Sequence, residues 1–171
     1  MKEKDVVQLF LGELESALPS TVTVRTAGGD ETAGPPVCIL NWNSRRLREN
    51  GANPYAGVVR DEYGDATGRE FHRYHRMECD VVIRTYDEGQ RDEWLSDAAD
   101  HFLPFEYDAS DFNPDTTEWE VGDAEPRSNP VVEPDWYESG VTIRFVYVSR
   151  VEQEGDTIRS VPWDVVISKD V

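Results

Sequence analysis

Residues 71–86 constrain the fold more than any other stretch. Met77, Cys79, Val81 and Ile83 occupy the odd positions, while His72, Tyr74, Arg76, Glu78, Asp80 and Arg84 occupy the even ones, with Val82 the apolar exception. A period of two puts successive side chains on opposite faces of an extended chain, so this segment predicts a strand with one covered and one polar face. It also exceeds the usual strand length of about 3–10 residues, which implies that one end runs past the sheet. The covering layer is legible on both sides. Val7, Phe10, Leu11, Leu14 and Leu18 follow a helical period over residues 5–18, with Asp5 as the expected N-cap and Pro19 as the stop. Trp94, Leu95, Ala98, Ala99 and Phe102 predict a second helix over residues 88–103, ended by Pro104.

Other strands are shorter. Val22 and Val24 mark one, and Val37-Cys38-Ile39-Leu40 another; with the turn chemistry between them (Gly28-Gly29-Asp30, Gly34-Pro35-Pro36) they suggest a hairpin after the first helix. Val141, Ile143, Phe145 and Tyr147 alternate in a long strand, and a turn at Gly155-Asp156 leads to a return segment through Ile158, Val161 and residues 165–167. Two stretches lack a period. Residues 43–70 contain Arg45, Arg46 and Arg48 and four glycines, and are read as an extended arm or loop. Residues 105–139 form an acidic loop rich in Pro, whose large apolar side chains argue for wrapping over the domain or a neighbouring subunit. The expected architecture is a single α+β domain over residues 1–171, with a mostly antiparallel sheet and two helices packed on one face.

Charge narrows the function classes. The 171 residues carry 35 Asp and Glu against 17 Lys and Arg, a net charge of -18, and only three of the cations are Lys. Such a surface self-repels in dilute buffer and is screened at molar salt, where the Debye length is about 3 Å. The composition therefore points to a halophilic host, with a dedicated acidic surface for a basic partner as the alternative. The balance is uneven. Residues 45–76 hold seven Arg and five acids, whereas residues 87–138 hold 17 acids and two Arg. If these stretches lie on different faces, copies of the chain can dock through opposite charges, aided by apolar anchors. No apolar run reaches the ~18 residues of a membrane span, and the opening MKEKDVVQLF has no apolar stretch of the secretory-leader kind. Cys38 and Cys79 are neither clustered nor at metal-ligand spacing.

Catalytic constellations are weighed and set aside. His72 and His75 point to opposite faces of a strand and cannot share one ion. Glu78 and Asp80 share a face and have the form of an acid/base or divalent-ion pair, but Arg76 and Arg84 flank them, and a cross-strand ion-pair ladder with Arg144 or Arg150 explains all four. Asp111-Phe112-Asn113-Pro114-Asp115 opens like a calcium loop, yet Thr116 and Gly122 stand where the pattern needs Gly and Glu. No catalytic residue, metal site or cofactor is expected, and the chain reads as a non-enzyme. The basic arm, with Trp42 and Tyr55 near its arginines, suits subunit contact better than phosphate binding in so acidic a chain. The candidate interface residues are Arg45, Arg46, Arg48, Tyr55, Arg60, Trp119, Trp136 and Tyr137.

In this order of elements the chain resembles the tail terminator, or tail completion, proteins of long-tailed viruses. The resemblance rests on the opening helix closed by Pro19, the strand at residues 22–24, the strand at 37–40 followed by a long arm, the strand at 76–86 running into the Trp94–Phe102 helix, and the final hairpin over 141–167. The acidic loop is longer than in such proteins. The resemblance implies a virion protein assembled in the host cytoplasm, forming a ring, typically of six copies, at the head–tail junction. Its implied partners are itself, the tail tube protein and the head connector protein, with viral DNA passing through the lumen without specific binding. Another connector or minor tail protein, a cellular acidic binding module and a metal-dependent hydrolase built on Glu78 and Asp80 are the competing readings.

Overall fold

The computed structural model describes residues 2–27, 34–47, 55–126 and 136–154. Its elements run α1 (Glu3–Ala17), β1 (Thr23–Thr26), β2 (Val37–Arg46), β3 (Tyr55–Arg60), β4 (Ala66–Thr85), α2 (Glu88–Phe102), β5 (Thr116–Val121), β6 (Glu125–Pro126) and β7 (Tyr137–Glu154), with two 3-10 turns at Leu103–Glu106 and Ala109–Asp111. All seven strands join one mixed sheet, ordered β1-β2-β4-β7-β5, with β3 beside β4 and β6 beside β7. This is the α+β class expected. The residues group into two compact units, Met1–Asn50 with Arg73–Ser149, and Gly51–His72 with Arg150–Val171.

In the larger unit, the odd face of β4 is covered as its alternation requires. Met77, Cys79, Val81 and Ile83 share one buried cluster with Val6, Val7, Phe10 and Leu14 of α1 and Trp94, Leu95, Ala98 and Phe102 of α2, so both helices lie on the same face. Cys38 and Leu40 of β2 and Val141, Ile143, Phe145 and Tyr147 of β7 complete it. Val37, Ile39 and Val82 form a second, small cluster on the opposite face.

Two local expectations change. Asp5 is not the N-cap of α1; Lys2 holds that place, and Asp5 sits one turn in, where its Oδ2 accepts the Lys2 N–H at 3.2 Å. The α2 cap is Asp87, whose Oδ1 accepts the Gln90 N–H at 2.9 Å. β1 and β2 do not form a hairpin. They pair in parallel, Thr23 opposite Val37 through Thr26 opposite Leu40. Alternation defines a strand's faces but carries no direction, and only the path of the connection decides it.

The acidic stretch is not all loop. Thr116–Val121 forms β5, antiparallel to β7, with Trp119 opposite Phe145. Phe105, Phe112 and Trp119 pack inward on their own chain: the Trp119 ring stacks on Phe145 at 4.6 Å and meets Phe112 at 4.9 Å and Phe105 at 5.2 Å. Gly122 lies where a Cβ would come within 2.9 Å of the Thr142 carbonyl oxygen, so the chain needs a glycine to leave β5 this close to β7.

The smaller unit carries structure where an arm or loop was expected. β3 and the first part of β4 form an antiparallel hairpin, Tyr55 opposite Phe71 and Val58 opposite Arg69. At its turn Asp61 Oδ1 accepts the N–H groups of Tyr63 and Asp65, and Gly64 takes a φ of 86°, a left-handed conformation natural to glycine. The Gly28-Gly29-Asp30 turn, residues 48–54 of the expected arm and the return segment from Gly155 to Ile167 lie outside the described residues.

Candidate assembly surface

The polar face of β4 is opposite the helices. Its even residues meet acids and arginines from β5 and β7, because the register sets Glu118 and Glu120 beside Val146 and Arg144. Arg144 Nε donates to Glu78 Oε2 at 2.9 Å, and its Nη1 reaches Glu120 Oε1 at 3.5 Å. Arg76 approaches Glu118 at 3.6 Å, Arg84 Nε donates to Glu138 Oε2 at 2.6 Å, and Thr142 Oγ1 lies 3.5 Å from Asp80. This is the cross-strand ladder expected for Arg144. Arg150 instead approaches Glu70 at 4.0 Å in the smaller unit. The sequence reading missed Glu118 and Glu120 as partners, although Thr116, Glu118 and Glu120 alternate with Trp119 and Val121 in the pattern that marks a strand. In sequence, their acidity reads as loop composition.

The histidines are each engaged by their own unit. His75 Nε2 lies 3.0 Å from Ser149 Oγ, and its ring stacks on Tyr147 at 5.1 Å. Burial holds the His75 imidazole below its ordinary pKa; the Arg46 and Arg73 guanidiniums push the same way, and Glu3 opposes them. Tyr147 is pushed up, chiefly by burial, against the lowering effect of its hydroxyl contact with Ser44 at 3.3 Å. His72 pairs with Glu70 at 2.9 Å. His101 has no neighbour in sequence to pair with, but meets Glu13 of α1 at 2.7 Å. Burial also pushes the Cys38 thiol up to about 12, and Cys79 higher still, where Asp80 and Glu78 add to the effect.

The calcium-like segment is occupied by turn bonds. Asn113 Oδ1 accepts the Asp115 N–H at 2.9 Å, and the Asp115 carbonyl accepts the Val148 N–H at 2.8 Å.

Neither the family models nor the curated proteins contain a match to this chain. Among solved structures it is similar to the sheath/tube terminator of an extracellular contractile injection system, PVC, in its extended state, with a TM-score of 0.54 at 10% identity. The match takes in 92% of this chain and 59% of that one. The likeness is one of fold, and this chain spans less than two thirds of that protein's length.

On this fold the predicted contact residues fall in different settings. Arg45 and Arg46 are exposed at the end of β2, and Arg45 stands directly across from Arg76 in the register. Arg60 is tied to its own hairpin, donating from Nη1 to the Gly64 carbonyl at 2.6 Å. Tyr55 opens β3, and Arg48 lies outside the described residues. Trp136 lies against the Arg84 guanidinium at 5.8 Å and Tyr137 against Arg91 at 5.7 Å, both more than a third exposed. Trp119 belongs to the core of its own chain, which takes up most of the ring that a partner would grip.

Proposed function

We propose that this chain is a tail terminator: a structural protein that forms a ring on the end of a tail tube, stops tube growth and presents a surface to the next component. In a virus that component is the head connector, and the location is the head–tail junction of the virion. The single observation that carries the reading is the fold likeness, over nearly the whole chain, to a protein described as a sheath/tube terminator. Fold alone does not assign function, and the surface supports the same reading from a second direction. Glu78 is engaged by Arg144 and Asp80 is approached by Thr142, so the paired carboxylates are explained by cross-strand structure without a reaction. The non-enzyme reading is part of the proposal.

The experiment is tube capping. Tail tube protein from the same source is polymerised with and without the chain and imaged by negative-stain electron microscopy. Added chain is expected to give shorter tubes, each with a ring of extra density at one end. Tubes of unchanged length with bare ends would overturn the proposal.

A further inference from the structure

The smaller unit ends in two open strand edges. β3 lies beside the first part of β4, with Tyr55 opposite Phe71, and no strand pairs with its other side among the described residues. β7 follows the opposite side of β4. The contacts Thr142–Asp80, Arg144–Glu78 and Ser149–Arg73 share one antiparallel register, which carries Val151 to Phe71. β5 pairs with β7 only as far as Tyr147, so Val151–Glu154 has no second strand among the described residues. An open edge presents a row of backbone N–H and C=O groups, and folded chains blunt the edges they do not use. The larger unit does this at β5, where Glu106 Oε1 accepts the Val121 N–H at 2.6 Å. Neither edge of the smaller unit has such a cap among the described residues. Their charges are opposite: Tyr55–Arg60 contains one Arg and no acid, and Val151–Glu154 contains two acids and no cation. Val58 is 44% exposed on the first, and Glu152 is exposed on the second.

Strand direction decides the symmetry. β3 and β7 both run antiparallel to β4, so they run the same way as each other. A second copy in the same orientation therefore sets the end of its β7 beside β3 of the first as a parallel pair. We infer that β3 of one copy pairs with Val151–Glu154 of β7 of a second copy, so that the sheet continues from copy to copy. Main-chain hydrogen bonds supply the contact, as in other cases of strand addition, and the opposite charges of the two edges favour this partner over a like edge. The contact is head-to-tail, using two different edges, so repeated copies close into a ring when the rotation per copy divides a full turn. Pairing β3 with β3 of a second copy would reverse one molecule, stop at two copies and leave the acidic edge open. Register shifts at both ends of β3 leave Gly57–Val59 as its regular part. Each contact is therefore short, and ring closure, which makes the last contact intramolecular, supplies the remaining strength. The inference rests on the ring-forming part of the proposed function.

Disulfide trapping in the full chain tests it, with and without tail tube protein from the same source. Two double variants, Val58→Cys/Glu152→Cys and Val58→Cys/Gln153→Cys, cover both faces of the β7 end, because successive strand residues point to opposite sides. All three positions are exposed, so the variants are expected to keep the native circular dichroism spectrum. The native Cys38 and Cys79 are buried. Within one copy β4 separates the two edges by about 10 Å, beyond the reach of a disulfide, so any link between them joins two copies. After oxidation one of the two variants is expected to give a ladder of linked species on a non-reducing gel. Mass spectrometry should find position 58 joined to 152 or 153. The yield should exceed that of the control Tyr63→Cys/Gln153→Cys, whose first position is at the hairpin turn, by at least about tenfold. No link above the control, with or without tube protein, would overturn the contact and leave the β7 edge to the chain's own return segment; tubes capped by that same protein would keep the ring on another surface. Links between position 58 of two copies, ending at dimers, would overturn the head-to-tail pairing. The expected ladder beside uncapped tubes would uphold the contact and overturn the proposed function.

Discussion

Phe10 of α1 and Phe102 of α2 stack face to face, ring centroids 4.6 Å apart and planes 8° from parallel. Both side chains are fully buried, and Phe10 also stacks on Phe145 of β7 at 6.0 Å. One contact thus ties two helices 92 positions apart in sequence to each other and to the sheet. Phe102→Ala is expected to cost about 3–5 kcal/mol, or about 2–4 °C of melting temperature for each kcal/mol in a chain of this size. Chemical denaturation in molar KCl measures it. Because the rings touch, Phe10→Ala with Phe102→Ala should cost less than the two single losses together.

Trp119 adds a test with an opposing term. Its indole Nε1 is buried and finds no acceptor among the described residues. An unpaired buried donor costs about 1–3 kcal/mol, which Phe at this position would not carry. Trp119→Phe is therefore expected to fall within about 1 kcal/mol of the unaltered chain, well below Phe102→Ala. A loss as large as that of Phe102→Ala in the same denaturation assay would show that the indole is bonded.

The ladder is expected to contribute little stability. Arg144 and Glu78 are 41% and 52% exposed, and such pairs are worth about 0–1 kcal/mol, less in high salt. Glu78→Gln with Asp80→Asn should leave unfolding within that range and should leave tube capping intact. Loss of a measurable hydrolytic activity in this variant would instead revive the carboxylate pair as a catalytic centre.

His75 makes stability depend on pH. Its folded pKa lies below the ordinary value of about 6.5, so between the two the unfolded chain binds more protons. The contribution is fully present above about pH 6.5 and is lost as pH falls through the folded pKa. His75→Gln should flatten that part of a stability–pH curve, and NMR titration of the His75 ring should give a midpoint below those of exposed imidazoles.

The thiols are expected to be silent in the folded chain. Cys38 is buried and held protonated, with its pKa pushed up to about 12, and Cys79 is raised further. The thiolate is the reactive form. An aromatic disulfide reagent at pH 8 should therefore leave both unmodified until denaturant is added, when two equivalents react. Rapid labelling of the native chain would contradict the burial.

What was legible in the sequence was what repeats locally. The apolar period of α1 and α2 and the alternation through Met77, Cys79, Val81 and Ile83 fix which side of each element is buried, because helix and strand geometry turn spacing directly into faces. From those faces followed the α+β class, the shared helix layer and the reading of Glu78 as a ladder residue. What only the tertiary structure decided was pairing. The parallel course of β1 and β2, the membership of acidic Thr116–Val121 in the sheet, the Glu13–His101 contact and the inward turn of Trp119 all join segments distant in sequence. No local period encodes a partner: direction, register and neighbour are set by how the whole chain closes over one core, and that closure leaves Arg45 facing Arg76 and Glu93, Asp97 and Asp100 of α2 exposed.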